Sequence, residues 1–128
     1  MHETQKESFC IVSAEVAGLT WKEAFRRTHN LQHRVREAGY NCKVVAGCYD
    51  GVCENSVYIQ NIPPDIALEL ASCYDQESIL VVDGHRQARL DYTDRRDSVD
   101  LGYFIACDDN SVADNYTIAN GVKYICVA

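Results

Sequence analysis

Residues 18–40, GLTWKEAFRRTHNLQHRVREAGY, form a capped amphipathic segment set between two stretches with strand character. That alternation restricts the chain to mixed folds in which helices pack on a sheet. Thr20 followed by Glu23 is a capping box, with Leu19 placed to staple the first turn. Trp21, Ala24, Phe25, Thr28, Leu31, Gln32, Val35 and Ala38 recur at i, i+3, i+4 and i+7 and define one face. Gly39 closes the helix at its C′ position.

The flanking segments extend the pattern. SFCIVSAEV (8–16) carries an uncharged run, Phe9 to Val12, suited to a central strand. NCKVVAGCY (41–49) and NSVYIQNI (55–62) read as two strands, with DGVCE as the hairpin connection. Pro63 and Pro64 open a second helix, where first-turn N–H groups have no helical partner to lose. Its apolar face comprises Ile66, Ala67, Leu70, Ala71 and Tyr74. SILVVDG (78–84) is the next strand, and RQARLDYT either continues it or returns beside it. VDLGYFIAC (99–107) and NYTIANGVKYICV (115–127) add further strands, the latter folded at Asn120-Gly121 into a type I′ hairpin.

The order β-α-β-β-α-β predicts an α+β, ferredoxin-like split-βαβ sandwich. Two helices would lie on one face of an antiparallel sheet, with extra C-terminal hairpin strands. Residues 1–128 form one domain in this reading, since no linker, repeat or low-complexity stretch divides them. Val44, Val45, Val57, Ile59, Val81 and Val82 make the second sheet face too apolar to stay wet. Either the C-terminal strands fold over it or copies of the chain pack sheet against sheet.

Composition narrows the function. Nineteen acidic residues against 12 basic give a net charge of −7, which disfavours nucleic-acid phosphates as partners. No apolar run approaches a membrane span, and MHETQKES lacks the basic and apolar regions of a signal peptide, so a cytoplasmic location is expected. The seven cysteines stand singly with no C-x-x-C pair, which reads as small buried hydrophobes kept reduced. A metal site is not expected, because the cysteines have no ligand spacing and the i,i+4 pair His29 and His33 lacks the carboxylate of an H-E-x-x-H pattern. No G-x-S-x-G elbow, phosphate loop or dinucleotide fingerprint occurs.

What remains is GCYDGVCENS (47–56) together with YDQES (74–78), which offer Tyr49, Glu54, Gln76, Glu77 and Ser78. Each also has a plain structural explanation. Tyr49 can end a strand with its hydroxyl in water, and Glu54 can be an edge charge that discourages aggregation. Gln76, Glu77 and Ser78 can satisfy main-chain groups at a helix end.

Five segments in order favour function: FCIVSA (9–14), AGCY (46–49), ENSVYIQ (54–60), LASCYDQESILVV (70–82) and YTIANGVKYICV (116–127). Through them the chain resembles the small bacteriophage S-adenosylmethionine (SAM) lyases, formerly called SAM hydrolases. The resemblance implies a PII-like trimer with active sites between subunits, working in the host cytoplasm as an anti-restriction enzyme. It implies that the substrate's carboxylate displaces 5′-methylthioadenosine and leaves L-homoserine lactone, without a cofactor. Tyr49 and Glu54 match the family's active-centre tyrosine and glutamate, and Gln76, Glu77 and Ser78 become candidate substrate ligands. Two other readings stand beside it: a non-catalytic PII-like trimer that binds a nucleotide or SAM as a regulator, and an acidic decoy mimicking DNA.

Overall fold

Eight strands and two helices follow one another as β1 (Phe9–Ser13), α1 (Trp21–Glu37), β2 (Cys42–Tyr49), β3 (Val52–Gln60), α2 (Pro64–Cys73), β4 (Ser78–Val82), β5 (Gln87–Tyr92), β6 (Val99–Cys107), β7 (Tyr116–Ala119) and β8 (Val122–Val127). This computed structural model describes residues 7–49, 51–107 and 115–128. The strands close into an antiparallel barrel in the order β1-β3-β2-β7-β8-β6-β5-β4.

The closed barrel corrects the ferredoxin-like, PII-like open sandwich expected from the sequence. The first six elements do run β-α-β-β-α-β, and β4-β1-β3-β2 are neighbours with both helices packed against them. The second face of that sheet does not stay open. β5, β6, β8 and β7 curl across it, and the seam closes where Ala46, Gly47 and Cys48 of β2 pair with Ile118, Thr117 and Tyr116 of β7. A bulge bends β6 on the way: Ala88 pairs with Gly102 and Arg89 with Asp100, leaving Leu101 extra. Gly102 takes φ +82, and a Cβ there would sit 2.0 Å from the Val127 carbonyl oxygen. Only glycine fits that position.

Alternation along β1 separates two cores. Cys10, Val12 and Ala14 face the helices with Leu31, Val35, Val57, Ile59, Ala67 and Ala71. Phe9 and Ile11 face the barrel interior with Val45, Leu80, Val82, Ala88 and Phe104. Near Phe9 the interior is filled by aromatic packing: Phe9 stacks on Tyr58 at 4.3 Å and meets Phe104 edge-on at 5.3 Å. Phe104 in turn stacks on Tyr124 at 5.0 Å.

α1 begins at the Thr20–Glu23 capping box, with both reciprocal bonds present. Its buried stripe is Thr28, Leu31 and Val35; shortening Leu31 to Ala would cost about 2–5 kcal/mol. Trp21 and Phe25, expected on the packed face, are instead 77% and 68% exposed, and Ala38 is exposed too. Periodicity identifies a helix's apolar stripe, but not how far a partner sheet extends beneath it. α2 starts at Pro64 and buries Ala67, Leu68 and Ala71, with Tyr74 buried at its end.

The central hairpin is tighter than DGVCE suggested. Tyr49 pairs with Val52, so only residues 50 and 51 separate the strands, and Val52, Cys53 and Glu54 belong to β3. Cys48 and Cys53 then lie opposite each other and form a disulfide, which corrects the reading of all seven cysteines as reduced. Asn120 (φ +51) and Gly121 (φ +77) make the β7–β8 turn as expected. No helix among the described residues is long and apolar enough to cross a membrane.

Candidate functional site

The barrel is open at the end away from Phe9. There a cavity of about 480 Å³ is lined by Ser13, Tyr49, Glu54, Ser56, Gln76, Glu77 and Ser78, above an apolar floor that includes Leu80, Leu90, Leu101 and Phe104. That volume lies within the usual range for small-molecule sites. The cavity brings together all five residues singled out in the sequence. Their convergence follows from strand direction, since β1 ends at Ser13 between the start of β4 at Ser78 and the stretch of β3 where Ser56, two residues after Glu54, pairs with Ser13.

Strand alternation sets the orientation of Tyr49 and Glu54. Gly47 pairs with Glu54 and Tyr49 with Val52. Tyr49 and Glu54 are therefore diagonal neighbours on one face of the ribbon, roughly 7–8 Å apart. That face carries Val45, which lies in the barrel core, so it is the inner one. Cys48 and Cys53 occupy the opposite face by the same alternation.

Gly47 makes room for the tyrosine. A Cβ at position 47 would stand 2.9 Å from Tyr49 Cε2, so the ring lies over the glycine. The Tyr49 hydroxyl shares a hydrogen bond with Thr117 Oγ1 on the neighbouring strand β7. Burial raises the Tyr49 phenol above its usual pKa, partly offset by the Thr117 bond. It therefore stays neutral at ordinary pH.

Glu54 lies among polar groups supplied by β1. Burial pushes its carboxyl above the usual range, a hydrogen bond from Ser13 pulls it back, and the nearby Glu15 charge raises it. Ser13 Oγ also accepts from the Glu15 main-chain N–H at 3.0 Å. Glu15 Oε2 takes the Asn55 N–H at 2.7 Å, tying the end of β1 to the strand that carries Glu54. An uncompensated carboxylate in such a place favours a cationic ligand.

The 74–78 segment divides its tasks. Gln76 Nε2 donates to the main-chain oxygens of Glu15 at 2.8 Å and Tyr74 at 3.1 Å, joining two loops at the mouth. Arg27 does the same from α1, binding the carbonyls of Ala14 and Tyr74. Glu77 pairs with Arg96, whose guanidinium lies 3.8 Å over the Tyr92 ring. Ser78 is half-buried at the start of β4.

Ser13, Glu15, Ser56 and Thr117 were not singled out in the sequence. Ser13, Ser56 and Thr117 are buried polar residues on the inner face, and Ser13 pairs directly with Ser56. Their signal is a hydroxyl at an inward position of an otherwise apolar strand, which becomes readable only once register is known.

No curated protein matches the chain. The model of the S-adenosylmethionine lyase family matches residues 10–127, leaving out only the first nine residues and Ala128. That match makes this a SAM-degrading enzyme with SAM as its substrate. On a match of that extent, the chain belongs to the S-adenosylmethionine lyase family.

Proposed function

We propose that this single-domain protein cleaves SAM by intramolecular displacement, giving 5′-methylthioadenosine and L-homoserine lactone. The substrate's carboxylate oxygen forms a bond to its own Cγ, the Cγ–sulfur bond breaks, and the electron pair leaves on sulfur. Neither water nor a cofactor takes part. The observation that supports this most is the placing of Tyr49 and Glu54 on one inner face, diagonal to each other at the wall of a substrate-sized cavity.

The step asks for position rather than proton transfer. The sulfonium is already an activated leaving group, and both charges are neutralised as the bond forms. Holding carboxylate, Cγ and sulfur in line is worth up to about 7–11 kcal/mol in ideal cases. Glu54 binds the substrate ammonium and so orients the carboxylate without attacking. The Tyr49 hydroxyl is engaged by Thr117, which leaves the ring to face the sulfonium in a cation–π contact. Ser78 and the side-chain oxygen of Gln76 line the methionine side of the mouth. Glu77 lines the mouth while paired through one carboxylate oxygen with Arg96. The low-polarity floor favours a step that removes charge.

We further propose a homotrimer acting in the host cytoplasm, where draining SAM disarms SAM-dependent restriction. Support for self-association comes from exposed apolar side chains on the outside of the barrel, Val44 of β2, Tyr103 and Ile105 of β6 and Ile118 of β7, and from Trp21 and Phe25. A neighbouring copy seated there would complete the wall of each site.

Two measurements test these readings. Purified protein incubated with SAM is expected to yield 5′-methylthioadenosine and the lactone, and SAM left intact overturns the enzymatic reading. Light scattering is expected to give three times the chain mass, and a monomer overturns the trimer.

A further inference from the structure

Thr117 is a polar side chain, 1% exposed, in a strand whose inner face otherwise joins the apolar core through Ala119. A buried hydroxyl needs a partner, and its partner is Tyr49. Gly47 links the two: it pairs with Thr117 across β2 and β7, and with Glu54 across β2 and β3. Thr117, Gly47 and Glu54 therefore form one row over three strands. The Tyr49 ring crosses that row where the missing Cβ leaves space.

We infer that Thr117 is a positioning residue for the reaction, holding the Tyr49 ring over Gly47 at a fixed angle to the substrate sulfonium. This rests on the reading of Tyr49 as a substrate contact. Tyr49 ends β2 and is 39% exposed, so packing alone does not fix where its ring lies. A bond from a fully buried group on the adjacent strand does. The same bond ties the β2–β7 seam, the last pairing that closes the barrel, to the site. Thr117 touches no substrate atom in this account and acts only through Tyr49.

The test uses Thr117→Val, Thr117→Ser, Tyr49→Phe and the Thr117→Val/Tyr49→Phe pair, with SAM turnover as readout. Thr117→Val is expected to lower kcat about 10-fold, one well-placed hydrogen bond, with KM changed less than about 2-fold. Tyr49→Phe loses the same bond from the other side and is expected to fall equally. The double variant is then no slower than either single one. Thr117→Ser keeps the hydroxyl and recovers kcat to within about 3-fold. Unchanged kcat in Thr117→Val, multiplicative losses in the pair, or a Ser variant as slow as the Val variant would each overturn the inference. A second readout needs no turnover: the ¹³Cζ resonance of Tyr49, assigned by its absence in Tyr49→Phe, shifts in Thr117→Val and returns in Thr117→Ser. A resonance unmoved in both overturns the inference even if activity is lost through misfolding. Tyr49→Ala with full turnover removes Tyr49 from the site, which overturns the site reading itself and the inference with it. An impaired Tyr49→Ala beside a normal Thr117→Val overturns the inference alone.

Discussion

Cys48 and Cys53 are joined across β2 and β3, each next in sequence to one of two cavity-lining residues, Tyr49 and Glu54. The bridge lies on the outer face of the hairpin, while Tyr49 and Glu54 point inward. It therefore reinforces a register that the main-chain pairing already sets, without occupying the site.

Replacing both cysteines by serine is expected to destabilise the fold by about 2 kcal/mol, the chain-entropy value for so short a loop. Urea unfolding of oxidised and dithiothreitol-treated protein should show the same difference, and neither change should affect the double-serine variant. Turnover should fall only slightly, because the main-chain pairing from Cys42↔Ile59 to Tyr49↔Val52 holds the register without the bridge.

Gly47→Ala places a Cβ 2.9 Å from the Tyr49 ring. The ring must swing away, so kcat should drop by about 10²-fold, as for a misplaced reacting group. Circular dichroism should show an intact fold, since alanine is tolerated in a strand. Normal turnover would mean that the ring need not lie over residue 47.

Glu54→Gln is expected to abolish most turnover without loss of stability. The Glu54 carboxyl titrates above its usual range in the folded chain, mainly through burial. The folded state thus holds its proton to higher pH than the unfolded state does. Its stability contribution is full below the ordinary carboxylate pKa and is lost as pH rises through the raised value. Glutamine removes that loss, so the variant's melting temperature at neutral pH should match or exceed wild type. For the active enzyme, kcat/KM should decline as pH falls through the raised Glu54 value, because the ammonium needs the carboxylate.

Arg27→Ala leaves the carbonyls of Ala14 and Tyr74 without their donor and uncovers the Tyr74 ring. A cost of about 2–3 kcal/mol is expected by thermal or urea unfolding. Arg27→Lys should recover only part, because an ammonium cannot reproduce the forked geometry.

The parts of the fold set by local chemistry were legible in the sequence. The Thr20–Glu23 box, the Asn120-Gly121 turn and the proline-led α2 all involve neighbours in the chain. The barrel was not, because its closing contacts join residues 46–48 to 116–118 and carry no local signal. One register detail hid the disulfide. With Cys53 read as loop, it had no cross-strand partner, and starting β3 at Val52 puts it opposite Cys48. All five candidate site residues line the cavity, but Gln76 is engaged with the main chain and Glu77 with Arg96. The Thr117 hydroxyl could not be read as part of the site without the β2–β7 pairing.

In the proposed reaction SAM supplies its own nucleophile. This is tested most directly by mass spectrometry of the earliest products formed in H₂¹⁸O, before the lactone hydrolyses on its own. The expected product is homoserine lactone without ¹⁸O, in equal amount to 5′-methylthioadenosine. Homoserine appearing first with ¹⁸O in its side-chain hydroxyl would show attack by water and contradict the proposed reaction.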